Sequence, residues 1–189
     1  MTSGSSHWRI VSAGAKGFQN FPHRVMPYSE FMATSFLLLF GGYDADSEQV
    51  SSKLIVVDLR HLEWWYQPVE GGVPTGRINP TMVTIGQKLY VFGGYRRYGG
   101  EFGDPHHSYC IASLSDDGKA WSWEVRDVPY SEKIPPGTIL GRATPIYNGT
   151  KILLTKWRTT NDDVGLIFFF FFLKATYKCS YLVFWLDRK

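Results

Sequence analysis

Residues 36–43 read FLLLFGGY and residues 88–95 read KLYVFGGY. Each is an apolar run closed by an aromatic residue, two glycines and a tyrosine, and the two lie 52 residues apart. Self-similarity at that period means one supersecondary unit used more than once, because each unit cannot bury its apolar faces alone. A third stretch, residues 149–155, aligns with 86–92, but Lys156-Trp157 stand where the glycines would be. Other markers keep the same order. Trp8, Trp64 and Trp121 are spaced 56 and 57 apart, and a connection containing Pro or Gly and ending in Arg precedes each apolar run, at Arg24, Arg77 and Arg142.

The apolar runs are rich in Leu, Val, Ile, Phe, Tyr and Trp, and Gly, Pro, Asp and Ser separate them. They are too short for helices, and nearly continuous apolar strands suit sheets covered on both faces. Each unit therefore reads as four short strands, a to d. In the first unit these fall at 30–34, 36–40, 53–58 and 63–68. In the second they fall at 80–85, 88–92, 108–114 and 120–126, with a polar, Gly-rich loop over 95–107. The glycine doublets read as places of close backbone approach. The strand-d tryptophans read as wedges between sheets, each with one N–H to satisfy.

At these residues the chain resembles the kelch repeat. That motif is an apolar strand ending in Gly-Gly, a loop, a strand ending near Tyr or Asp, and a Trp about six residues on. It is matched by Gly41, Gly42, Leu54–Asp58 and Trp64, and again by Gly93, Gly94, residues 109–114 and Trp121. Arg77 fits the arginine before strand a. The resemblance covers about residues 24–157 and implies blades of a β-propeller. Propellers close with about 4–8 blades, whereas a period of 56 or 57 fits a little over three times into 189 residues. The expected fold is all-β: an incomplete kelch-type β-propeller of about three four-stranded antiparallel blades with an irregular C-terminal tail. The expected division is the end of a preceding blade and a linker over 1–24, blade 1 over 25–77, blade 2 over 78–140, a degenerate partial blade 3 over 141–163, and an apolar tail over 164–189. The chain reads as a fragment, or as an arc completed by another chain, whose open blade faces favour self-association.

The tail departs from the motif, because Phe168 to Phe172 are five consecutive phenylalanines. An aberrant tail, a distorted pair of strands and a membrane anchor over 164–186 all remain open. The anchor reading places Lys174 and Lys178 inside the span, where a central charge costs about 2.5–3.5 kcal/mol. The polar N-terminus has no apolar segment of the kind that starts a signal peptide, which favours a cytoplasmic location.

Twenty Lys and Arg stand against 17 Asp and Glu, for a net charge of +3. That balance does not predict nucleic-acid binding, which shows as a clustered basic face. No GxSxG, P-loop, GxGxxG or HExxH motif occurs. Residues 44–48 are acidic but lack the glycine and glutamate of an EF-hand, with Gln49 and Ile55 in their places. His106 and His107 are adjacent and would point apart on an extended chain. Tyr109-Cys110 invites comparison with galactose oxidase, a copper enzyme on a kelch-like propeller, but its ligand motif is not matched. Cys110 instead reads as a small buried apolar residue. No catalytic residue, metal or cofactor is expected.

The best functional signal is the second b–c connection. Tyr95, Arg96, Arg97, Tyr98, Glu101 and Phe102 interleave aromatics with charge, and Tyr and Arg are favoured at protein interfaces. The b–c and d–a connections of a four-stranded blade emerge at one rim, where function concentrates. The expected function is a non-catalytic scaffold binding a protein partner of unknown identity through those loops. The alternatives are part of a galactose-oxidase-like enzyme or ligand-binding propeller, or a membrane-anchored kelch protein.

Overall fold

The computed structural model describes residues 28–32, 35–44, 47–98, 101–105, 108–116, 118, 120–127, 142–146, 148–159, 164–172 and 179–185. Every regular element among them is a strand. The first repeat supplies β1 (Tyr28–Met32), β2 (Phe36–Phe40), β3 (Tyr43–Asp44), β4 (Gln49–Val50), β5 (Leu54–Asp58) and β6 (Glu63–Tyr66). The second supplies β7 (Glu70–Gly71), β8 (Thr81–Ile85), β9 (Lys88–Phe92), β10 (Tyr95–Tyr98), β11 (Glu101–Pro105), β12 (Ser108–Leu114) and β13 (Trp121–Asp127). The remainder is β14 (Arg142–Ile146), β15 (Lys151–Thr159), β16 (Val164–Phe172) and β17 (Cys179–Trp185).

Among the described residues three sheets of four or five strands result, beside the two-stranded pairs β3-β4 and β10-β11. Their orders are β1-β2-β5-β6, then β8-β9-β12-β13 with β7 outside β13, then β14-β15-β16-β17. Every neighbouring pair is antiparallel except β7 against β13, which is a short parallel pairing of Glu70 with Ser122 and Gly71 with Trp123. The sheets pack face to face. Side chains alternate across a strand, so Leu89 and Val91 on β9 and Cys110 and Ala112 on β12 face the first sheet. There they meet Leu38, Phe40, Leu54 and Val56 in one buried layer. Tyr90, Phe92, Tyr109 and Ile111 take the opposite face and meet Ile152 and Leu154 of the third sheet. Strands β1, β8 and β14, the first of each sheet, lie next to one another. The second sheet is thus apolar on both faces, and the first strands converge as they do around the axis of a propeller.

The sequence expectations fit closely at strands b and c. Strand a of the first sheet begins two residues earlier than expected, at Tyr28. The tryptophans divide the wedge role unequally. Trp121 and Trp123 are both buried in the layer between the first two sheets, and Trp123 lies 5.1 Å from the Phe40 ring. Among the described residues the Trp123 indole nitrogen has no hydrogen-bond partner, an omission that costs about 1–3 kcal/mol for a buried donor. Trp64 is half-buried on the other face of the first sheet with Leu39, Ile55 and Val57.

Two expectations are corrected. Residues 95–98 and 101–105 are not a loop but two paired strands, with Tyr98 opposite Glu101 and Tyr95 opposite Pro105. The tail is not irregular over 164–172 and 179–185, which form β16 and β17 in register with β15. The reason lies at Lys156-Trp157. Without a glycine doublet to turn it aside, β15 runs nine residues and pairs directly with β16, from Lys151↔Phe172 to Thr159↔Val164. The Phe run is then an interior strand with neighbours on both edges. No helix among the described residues is long and apolar enough to cross a membrane.

Candidate functional site

The site is built from the end of strand b, the start of strand c and the connection entering strand a, all at one rim. Each glycine doublet turns the chain out of strand b. Gly41 and Gly42 have φ of +76° and +92°, a region that L side chains avoid. A Cβ on Gly41 would collide with the carbonyl oxygen of Arg77, and one on Gly94 would lie 3.0 Å from the Ile78 oxygen and 3.3 Å from Pro80 Cα. The close approach is therefore to the segment 77–80, threaded between the two doublets, rather than to a neighbouring sheet. The Gly42 amide donates to the Arg77 carbonyl at 2.9 Å, which ties the first sheet to the entrance of the second.

Arg77 is the centre of the arrangement, and its side chain is 1% exposed. Nη1 donates to the Gly93 carbonyl at 2.8 Å and the Ser108 carbonyl at 3.0 Å. Nη2 donates to Ser108 Oγ at 2.8 Å and reaches Cys110 Sγ at 2.9 Å. Gly93 and Ser108 are the two roots of the b–c excursion, so one guanidinium holds both. Burial draws Arg77 below its ordinary pKa, the Cys110 sulfur opposes that shift, and Arg96 adds to it. Cys110 is fully buried, as expected, but it is also a polar partner and not only apolar filling.

The excursion itself is β10–β11. Tyr95 is half-buried and exchanges two backbone hydrogen bonds with Ile78, at 3.0 and 2.8 Å, which joins the hairpin to the d–a connection. Burial raises the Tyr95 hydroxyl above its ordinary pKa. Arg96 is exposed. Arg97 and Tyr98 continue β10, and Glu101 and Phe102 open β11, with Arg97 opposite Phe102. The six residues singled out in the sequence therefore share one hairpin. The first b–c connection forms the smaller hairpin β3–β4, with Asp44 opposite Gln49, and β4 lies beside β10. His106 and His107 lie outside the described residues, as does Trp8. Among the described residues no three His, Cys, Asp or Glu side chains come together as a metal site would need.

Sequence reasoning missed the clamp. Ser108 and Cys110 lie 31 and 33 residues from Arg77, and only the recurrence of Arg before strand a hinted that this arginine mattered.

A family model described as the KLHDC2/KLHL20/DRC7 Kelch-repeats domain matches residues 6–166. N-(sulfonatooxy)prop-2-enimidothioate sulfolyase of Thlaspi arvense is 44% identical over 59 residues, which are 31% of this chain and 17% of that protein. Kelch domain-containing protein 3 of Homo sapiens is 30% identical over 96 residues, 48% of this chain and 25% of that protein. The chain thus spans a quarter or less of the length of these relatives. Among solved structures, YjhT aligns with a TM-score of 0.47 at 13% identity, covering 82% of this chain and 44% of that one.

Proposed function

The chain belongs to the kelch-repeat family, and from that premise we propose that it is a non-catalytic scaffold whose rim hairpins and d–a connection bind a protein partner. The observation that carries the reading is the rooting of β10–β11. Arg77 clamps both of its ends and Tyr95 bonds it to Ile78, while Arg96 stays exposed. A hairpin held at its base by a buried core has less backbone freedom to lose, which lowers the ordering cost of binding. Tyr95, Arg96, Arg97, Tyr98, Glu101 and Phe102 are its contact residues. Tyr and Arg supply contact area and directed donors, and the first hairpin extends the same rim.

The test places a photo-crosslinking amino acid at Arg96 and, in a second variant, at Gln87 at the opposite end of the sheet. Polypeptide adducts are expected from position 96 alone. Equal adducts from both positions, or none from 96, refute the reading. A second reading, a propeller enzyme, draws on the sulfolyase relative, whose matched segment is 59 residues long. The scaffold reading expects no consumption of N-(sulfonatooxy)prop-2-enimidothioate by the chain, and turnover of that compound would replace it with the enzyme.

A further inference from the structure

Arg77 is a buried cation whose hydrogen-bond partners among the described residues include no carboxylate. They are Gly93 O, Ser108 O, Ser108 Oγ and Cys110 Sγ, and Nε has none. A buried charge stripped of its counter-ion costs about 3–5 kcal/mol, and a guanidinium does not shed its proton inside a protein. Of the four contacts, only the Cys110 sulfur can take up negative charge.

The surroundings of Cys110 sharpen the point. Its strand neighbours are Val91 on β9 and Val125 on β13. The apolar layer it faces contains Met32, Leu38, Phe40, Leu54, Val56, Met82, Leu89, Ala112, Trp121 and Trp123. The next charge acting on Arg77 is Arg96 of β10, also positive. Tyr95 on the same strand is pushed further toward its neutral form by burial. Desolvation alone would keep the thiol protonated, but a guanidinium in direct contact favours the thiolate.

We infer that Cys110 stands as a thiolate, paired with Arg77, and that this buried ion pair anchors the guanidinium that clamps the roots of β10–β11. The inference does not depend on what the hairpin binds. Its sign follows from linkage. A cysteine that ionises more readily folded than unfolded contributes stability above its unfolded value of about 8.5. That contribution is lost as pH falls through the folded midpoint.

The test uses the full chain carrying Cys179→Ser, so that Cys110 is the one cysteine present. Thiolate ultraviolet absorbance is titrated in the folded state and again in urea, with a Cys110→Ser chain subtracted to cancel tyrosinate. The expected folded midpoint lies more than one unit below the free-cysteine value of about 8.5, returning to that value in urea. A folded midpoint at or above the urea value overturns the inference. Should the subtracted variant fail to fold, the folded and urea titrations of the Cys179→Ser chain still decide. Arg77→Met, if it folds, raises the folded midpoint, and an unchanged midpoint there also refutes the pairing.

Discussion

At the residue scale, glycine is required here for two separable reasons, conformation and space. Gly86, in the turn between β8 and β9, has φ of +57° and nothing within 4 Å of where a Cβ would sit, whereas Gly41 has both a positive φ and the Arg77 carbonyl in the way. Gly86→Ala is expected to cost about 1 kcal/mol from backbone strain alone. Gly41→Ala is expected to cost about 2–4 kcal/mol, because the collision adds an overpacking penalty. Urea denaturation of the two variants checks the difference, and equal losses would mean that the 77–80 segment does not press on the doublet. The doublets were legible because they recur. What they accommodate was not, since the obstructing carbonyl lies 36 positions along the chain and carries no side-chain signature.

At the element scale, strand ends are set by polar punctuation, and the turn closing β5 shows how. Asp58 is buried at the end of an otherwise apolar strand. Its carboxylate accepts from His61 Nδ1 and from the Arg60 amide, both at 2.8 Å. The His61 hydrogen bond is the largest influence holding the carboxyl well below the usual carboxylate range, against the opposing cost of desolvation, and Arg60 adds to it. A depressed carboxyl stabilises the fold above its unfolded value and loses that contribution as pH falls. The urea midpoint is therefore expected to drop as pH is lowered below about 4. Asp58→Asn should flatten that drop, and an unchanged slope would show that the turn does not depend on the charge. Strands b and c were readable to within a residue because their apolar runs are continuous and sharply bounded. The β10–β11 hairpin was not, because Arg, Tyr and Gly at its positions spell a loop as readily as a strand. The Phe run defeated pattern reading for the opposite reason: unbroken apolarity carries no period, and only pairing with β15 and β17 fixes it.

At the scale of the whole molecule, two apolar layers join three sheets in series. Leu38 sits in the first layer and Ile152 in the second, both fully buried. Each truncation to Ala is expected to cost about 2–5 kcal/mol. Because the second sheet belongs to both layers, each variant should lower a single shared transition, coincident by tryptophan fluorescence and far-ultraviolet circular dichroism. Two separated transitions would mean that the layers melt independently. The hook between the sheets, from the Gly42 amide to the Arg77 carbonyl, uses main-chain atoms alone. Its specificity resides in chain geometry, and the side chain it depends on is the absent one at Gly41, where a Cβ would meet the Arg77 carbonyl. The stretch from one doublet to the next, residues 42–93, carries both halves of this coupling, the Gly42 amide and the Arg77 carbonyl.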